Sequence, residues 1–477
     1  MFKRIKPLAA CLSLSVMLAV PPADAWAARF IRDAEIENTI RAYSAPLFAA
    51  AGLNSKDVKI LIVQDDTLNA FVFGGMNLFI HTGLLLKSEH AGQLIGVIAH
   101  ETGHIAGGHL SRMSNRMRSA SSAQIIAMIL GAAAGIASGS AKAGSAILLG
   151  GGELVRQSVF RFSRAQESAA DQAALGYLDR TGQSARGMAE FLVVMEKQEQ
   201  LTGGNQPVYL RTHPITRNRI KHVINYIATS RFSDTPVRRE FAEMHRRMIA
   251  KLWGFLRPPA KTFNRYKEGD DSVEARYARA IAHYRVPDLA KALPLIDGLI
   301  AENPGDPYFQ ELKGQILFEN GRGAEAIGPY DKAVRLLPDS ALLRIGLARA
   351  LLEQADPSLT KRALTHLKQA VRLENENPFA WTQLAIAYGR DRQFGMSALA
   401  LAEAALARGD KKEARYQAKR AAKQLKRDQA ARLRAKDIGR AARKKDNYSG
   451  ASGWLSGRAA ANASSVMQAS NTRITVG

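Results

Sequence analysis

Apolar residues recur at helical spacing along most of the chain, and only a short stretch near its beginning alternates in the manner of strands. Ile31 to Ala51 predicts a helix. Val58 to Val63 is an apolar, β-branched run and predicts a strand. Asn69 to Phe73 and Leu78 to Ile80 are shorter strand-like pieces around Gly74-Gly75. From Glu89 to Met113 the residues Leu94, Ile95, Val97, Ile98 and Ile105 return at helical spacing. Further helices are predicted at Ala165–Arg180, Ala185–Leu201, Ile215–Ser230 and Phe241–Leu256, with Pro258-Pro259 as a break. Ala123 to Gly152 differs: it is rich in Ala, Gly, Ile and Leu, and Lys142 is its only charge. Each apolar half is shorter than the roughly 20 residues of a spanning helix. The expectation is a helical hairpin that shields a cleft or dips into one membrane leaflet.

From about Ser272 the pattern becomes repetitive. Gly314, Ala326, Tyr330, Ala333 and Pro338 give small, small, aromatic, small and proline at offsets 0, 12, 16, 19 and 24, as in tetratricopeptide helix pairs. Ala363, Leu367 and Ala370 repeat part of this, as do Trp381, Leu384, Ala385 and Tyr388, then Gly409, Ala414, Ala418 and Ala421. Small residues let the two helices of a pair touch, while larger ones fill the seam to the next pair. Four or five repeats are expected. The fold class is therefore mostly α (α+β): a helical domain with a small β-sheet, followed by an α-solenoid of helix pairs.

Composition adds a compartment and a charge. Lys3, Arg4 and Lys6 precede the apolar run Leu8–Val20, and A-x-A sites follow at Ala23–Ala25 and Ala25–Ala27, which reads as an export signal over 1–27. Cys11, the only cysteine, lies inside that segment, so the remaining chain offers no thiol nucleophile, disulfide or thiolate ligand. Any metal must be held by His, Asp or Glu. The formal charge is +24, and Lys411–Lys445 alone holds fifteen Lys or Arg against three acids. For an exported protein, anionic lipid head groups or lipopolysaccharide are better candidates than nucleic acid, which is not an expected partner. A solvated basic helix face is the plain alternative. Asn447–Gly477 is rich in Ser, Gly, Ala and Asn, the composition of a disordered tail.

The chemistry is concentrated at His100-Glu101-Thr102-Gly103-His104, an HExxH motif inside a predicted helix. Positions i and i+4 share a face, so both imidazoles can bind one Zn²⁺, and the Glu101 carboxylate can serve as general base. The apolar flank Leu94–Ala99 places these polar groups in a buried helix, where they need a metal or partners. A hydrolytic zinc keeps three protein ligands. His109 is one residue short of the HExxHxxGxxH register, about 100° of helix rotation, and reads better as a supporting histidine. His81 is a further candidate. Glu167 is the favoured one, on an alanine-rich helix with Asp171 at i+4 to orient a zinc histidine.

HExxH, then ExxxD, then Thr212-His213-Pro214 with Arg219 and Ile220, resembles the membrane-associated zinc peptidases related to HtpX and the CAAX prenyl protease. The repeats and export signal make it similar, within that group, to the BepA-like periplasmic proteases. The resemblance covers about residues 30–425. It implies one Zn²⁺ per chain on His100, His104 and Glu167, with Glu101 as base. It implies that His213 can occupy the fourth zinc position and silence the enzyme, and that Arg219 can stabilise the oxyanion. Asn69–Thr82, with Gly74, Gly75, Met76, Asn77 and Leu78, looks like the family's substrate-binding edge strand. The implied layout is a metalloprotease domain over 28–230, a helical connector over 231–271, repeats over 272–437 and a tail over 438–477. The implied role is degradation of misfolded or stalled outer-membrane proteins, with partner binding to the outer-membrane assembly machinery through the repeats. A periplasmic protein in peripheral contact with a membrane is expected. The rival expectation is a chaperone or adaptor whose zinc site is structural or shut.

Overall fold

The computed structural model describes residues 30–109, 164–201 and 213–443. The expected signal, the hydrophobic hairpin Ala123–Gly152 and the Asn447–Gly477 tail lie outside the described residues. Strand β1 (Phe30–Ile31) is followed by helix α1 (Ala34–Ala50), β2 (Lys59–Val63), β3 (Ala70–Phe73) and β4 (Asn77–His81). The helix expected from Ile31 starts three residues later. Phe30 and Ile31 pair antiparallel with Val63 and Ile62, and Asp33 caps α1 by accepting from the Ile36 N–H at 2.9 Å. The sheet order is β1-β2-β4-β3, with β2 and β4 parallel and β3 antiparallel to β4.

Helices α2 (Thr82–Lys87) and α3 (Ala91–Ala106) follow, then α4 (Arg164–Arg180), α5 (Arg186–Leu201), α6 (Arg217–Thr229) and α7 (Arg239–Leu256). Helix α3 runs through the middle and packs on α1, α4, α5 and β3. All its residues from Ala91 to His104 are buried. It stops at Ala106, short of the expected Met113, where Gly107 caps it and Gly108 turns left-handed at φ 60°. Two glycines set how closely its neighbours approach. A Cβ on Gly96 would stand 2.7 Å from the Met188 Cα of α5, and one on Gly103 would stand 2.7 Å from the Ala170 carbonyl oxygen of α4. Helix α7 feeds Phe241, Met248, Ile249 and Leu252 into the same core, so the expected connector 231–271 is in large part a packed element.

After the short α8 (Pro259–Arg265), ten helices form five pairs: α9 (Val273–Arg285) with α10 (Leu289–Glu302), and α11 (Pro307–Glu319) with α12 (Gly323–Leu336). The others are α13 (Ala341–Glu353) with α14 (Pro357–Leu373), α15 (Pro378–Arg390) with α16 (Phe394–Ala407), and α17 (Lys411–Gln424) with α18 (Gln429–Ala441). The small-and-aromatic register has the expected cause. A Cβ on Gly314 would lie 2.8 Å from the Tyr330 ring, and one on Gly346 would lie 2.7 Å from its other edge. The solenoid outlasts the expected boundary at 437, because Ile438 and Ala442 are buried against the α16–α17 alanines.

A buried ion cluster joins the two halves. Lys251 of α7, 3% exposed, lies 2.7 Å from Asp33 Oδ2 and 3.3 Å from Glu35 Oε2. Arg247 pairs with Glu35 at 2.7 Å and with Asp306, the cap of α11. The Tyr277 hydroxyl of α9 donates to Glu35 at 2.8 Å. Farther along the solenoid, Arg32 bonds both carboxylate oxygens of Glu374 at 2.8 Å. Among the described residues no helix is long and apolar enough to cross a membrane.

Candidate metal centre

Helix α3 presents His100 and His104 one turn apart on the side facing α4, where the Gly103–Ala170 contact lets the backbones close up. Helix α4 supplies Glu167 in its first turn and Asp171 one turn later. The segment before α6 supplies His213. All five side chains are essentially removed from solvent.

Four of them converge. His100 Nε2 lies 3.1 Å from His104 Nε2 and 3.3 Å from His213 Nδ1. Glu167 Oε1 lies 3.2 Å from His104 Nε2 and 3.1 Å from His213 Nδ1, while its Oε2 lies 3.4 Å from His100 Nε2. Donor atoms at about 2.0–2.1 Å from a tetrahedral zinc are about 3.3 Å from one another. The four spacings that join His100 Nε2 and Glu167 Oε1 to His104 Nε2 and His213 Nδ1 are close to edges of that tetrahedron. Three ring nitrogens and a carboxylate oxygen, buried and pointing at one spot, also lack enough protons to satisfy one another, and a cation removes that cost. Imidazole nitrogens and a carboxylate oxygen without thiolate suit a first-row divalent ion such as zinc. The residues present therefore fit the metal.

Around this cluster the remaining groups hold its side chains in place. His100 Nδ1 lies 2.8 Å from Asp171 Oδ1, which orients the ring with Nε2 inward. Burial works against a charged His100, yet Asp171 and Glu167 outweigh it and lift its pKa to about 10. Burial likewise opposes ionisation of Asp171, but Arg219 and His100 bring its pKa down to about 2. Burial depresses His104 well below the usual histidine range, and the neighbouring His100 and His213 add to the depression. His109 Nδ1 stands 2.9 Å from His104 Nδ1, while His104 Nε2 faces the cluster. His81 is elsewhere, 2.8 Å from the Thr67 hydroxyl, and is not part of the cluster.

Glu101 is fully buried, and neither carboxylate oxygen has a hydrogen-bond partner among the described residues. His213 Nε2 stands 3.5 Å from its Oε1. Burial raises the Glu101 pKa against the opposing effect of His213 and His100.

Two expectations need correction. Arg219 does not face an open position. Its Nε and Nη2 donate to Asp171 at 2.6 and 2.8 Å, and its Nη1 lies 2.7 Å from Glu167 Oε2 and donates to the Pro214 carbonyl at 2.9 Å. With its donors turned to these carboxylates and this carbonyl, Arg219 bridges Glu167 and Asp171. Sequence reasoning missed this bridge, although the Thr216 cap places Arg219 in the first turn of α6, on the side of Pro214. The second correction concerns the substrate strand. Gly74, Gly75 and Met76 form the turn, and Asn77 and Leu78 begin β4, which is interior because β2 pairs on its other side. The expected stretch Asn69–Thr82 also contains β3, Ala70–Phe73, which is one edge of the sheet; β1 is the other.

Residues 31–227 match Peptidase family M48, and residues 277–341 match a tetratricopeptide repeat. The chain carries a metalloprotease domain of peptidase family M48. The M48 match spans the sheet and all four cluster residues. The beta-barrel assembly-enhancing protease of Escherichia coli (strain K12) is 26% identical over 399 residues, covering 80% of this chain and 74% of that protein. Its counterpart in Yersinia pestis is 25% identical over 354 residues, covering 72% and 70%. Among solved structures, yeast Tom70 aligns over 76% of this chain and 83% of its own at 13% identity, with a TM-score of 0.30, too low to support any inference.

Proposed function

We propose that this M48 metalloprotease is a zinc-dependent endopeptidase of the periplasm that removes misfolded or stalled outer-membrane proteins. The observation that carries the peptidase reading is the buried cluster of His100, His104, Glu167 and His213 beside the carboxylate of Glu101, which accepts no hydrogen bond among the described residues. One zinc per chain would be held by His100, His104 and Glu167; when bound it supplies a Lewis acid and a water of near-neutral pKa. Glu101 then accepts the proton of the attacking water and passes it to the departing amine. The free edge of β3 offers N–H and C=O groups to an extended substrate backbone, which suits cleavage within a chain. His213 Nδ1 fills the fourth corner of the cluster, so in this conformation it competes for the place the attacking water needs.

The compartment and the substrates rest on similarity to the beta-barrel assembly-enhancing proteases and on the repeats, which offer a long surface for protein partners. A second reading has its own support. With His213 in the fourth corner the site is shut, and a shut enzyme with five helix pairs can act as a chaperone or adaptor for outer-membrane assembly. The test is Glu101→Gln. The variant is expected to bind one metal and melt like the parent while casein hydrolysis falls by about 10²–10⁴. Full retention of hydrolysis would refute the peptidase assignment. Full complementation in cells by the inactive variant would favour the adaptor.

A further inference from the structure

The last helix pair carries a charge pattern that neither the peptidase site nor the solenoid core uses. Between Lys411 and Arg443 there are thirteen Lys or Arg and three acids. In α17, Arg415, Lys419 and Lys423 form an exposed stripe at i, i+4 and i+8, while Ala414, Ala418 and Ala421 are buried on the opposite side. In α18, Arg432 and Lys436 form a second exposed stripe, opposite the buried Ala435 and Ile438. These five cations have no ion pair among the described residues, and all three acids are occupied locally. Glu413 accepts from Gln417, Asp428 caps α18, and Asp437 faces Arg440 at 3.5 Å.

Two apolar side chains interrupt the stripes. Tyr416 is 59% exposed, and Leu433 is 54% exposed. The solenoid also exposes Val286, Leu373, Ile386 and Phe394, but Tyr416 and Leu433 are the exposed large apolar residues that α17 and α18 place among these cations. A phosphate backbone gains nothing from an exposed leucine. A bilayer surface does: cationic side chains meet lipid phosphates while leucine and tyrosine enter the headgroup–acyl boundary. Long basic side chains also lie along such an interface with their charge outward.

We propose that the α17–α18 pair is a docking surface for an anionic phospholipid bilayer, holding the end of the solenoid against a membrane leaflet. The surface is independent of the metal cluster, so it stands or falls apart from the peptidase assignment. Each cation near an anionic leaflet is worth roughly a factor of five in affinity. The probe is co-sedimentation of the full chain, freed of its leader, with large vesicles of phosphatidylcholine alone or with added phosphatidylglycerol. The expected result is binding to the phosphatidylglycerol vesicles only, weakening steeply as salt rises. The triple variant R415Q/K419Q/K423Q should bind about a hundredfold more weakly, with an unchanged melting temperature as the check on folding. Leu433→Ser should weaken vesicle binding several-fold yet leave affinity for a DNA duplex unaltered. Equal sedimentation of parent and triple variant would overturn the proposal. So would tighter binding to the duplex than to the anionic vesicles, which would mark the face as a nucleic-acid surface.

Discussion

At the scale of single residues, the centre depends on two side chains from α6 and the segment before it. Arg219 ties Asp171 and Glu167 together, so its loss leaves two buried carboxylates short of their cation. Arg219→Gln is expected to lower metal affinity about 10–100-fold, as loss of an orienting partner does, which competition with a chelator would measure. Unaltered affinity would mean that α4 holds Glu167 without help. His213 makes the opposite prediction. With His100, His104 and Glu167 still in place, His213→Ala should keep the metal and raise casein hydrolysis several-fold, since three protein ligands suffice for a hydrolytic zinc. A drop in metal content together with activity would instead make His213 an obligatory ligand. The motif residues were legible because HExxH has a fixed helical geometry. Arg219 was misjudged because its partners lie 48 and 52 positions away in sequence, and no local spacing reports such a contact.

At the scale of elements, periodicity located nearly every helix but not its ends. Asp33 and Gly108 decided where α1 starts and where α3 stops, through a cap and a left-handed turn. Helix α7 falls in the expected connector 231–271, and its apolar pattern alone does not show which elements it packs on. It packs on α9 of the solenoid and on α1 and α2 of the other half, where His245 Nε2 donates to the Ser88 carbonyl at 3.2 Å. Burial lowers the His245 pKa to about 4. Its neutral form is thus favoured by folding. As pH falls below the unfolded value of about 6.5, the unfolded chain takes up the proton first and stability declines until about 4. Denaturant melts between pH 7 and 5 should show a loss on the order of 2 kcal/mol from this group, and His245→Gln should flatten that part of the profile. An unchanged slope in the variant would place the sensitivity elsewhere.

At the scale of the whole molecule, the protease half and the solenoid are joined by buried charge. Lys251 stands among Asp33, Glu35 and Glu311, and burial, which works against its charge, is outweighed by these acids so that its pKa is held well above the ordinary lysine value. Breaking such a buried pair costs about 3–5 kcal/mol, because the acids are left without their cation. Lys251→Met should therefore lower the melting temperature and split one calorimetric transition into two, as the halves lose their common clasp. A single unshifted transition would show that the apolar contacts between α7 and α9 suffice.

The sequence by itself determined the elements, the repeat register, the HExxH pair and the candidacy of Glu167, because each of these depends on spacing within one helix or one helix pair. Only the tertiary structure decided that His213 meets His100, His104 and Glu167, that Arg219 bridges the carboxylates, that β3 lies at an edge while β4 is interior, and that α7 belongs to the core. Each of those depends on which distant segments share a volume, and that is settled by packing around α3, where Gly96 and Gly103 let α5 and α4 approach closely enough to close the centre.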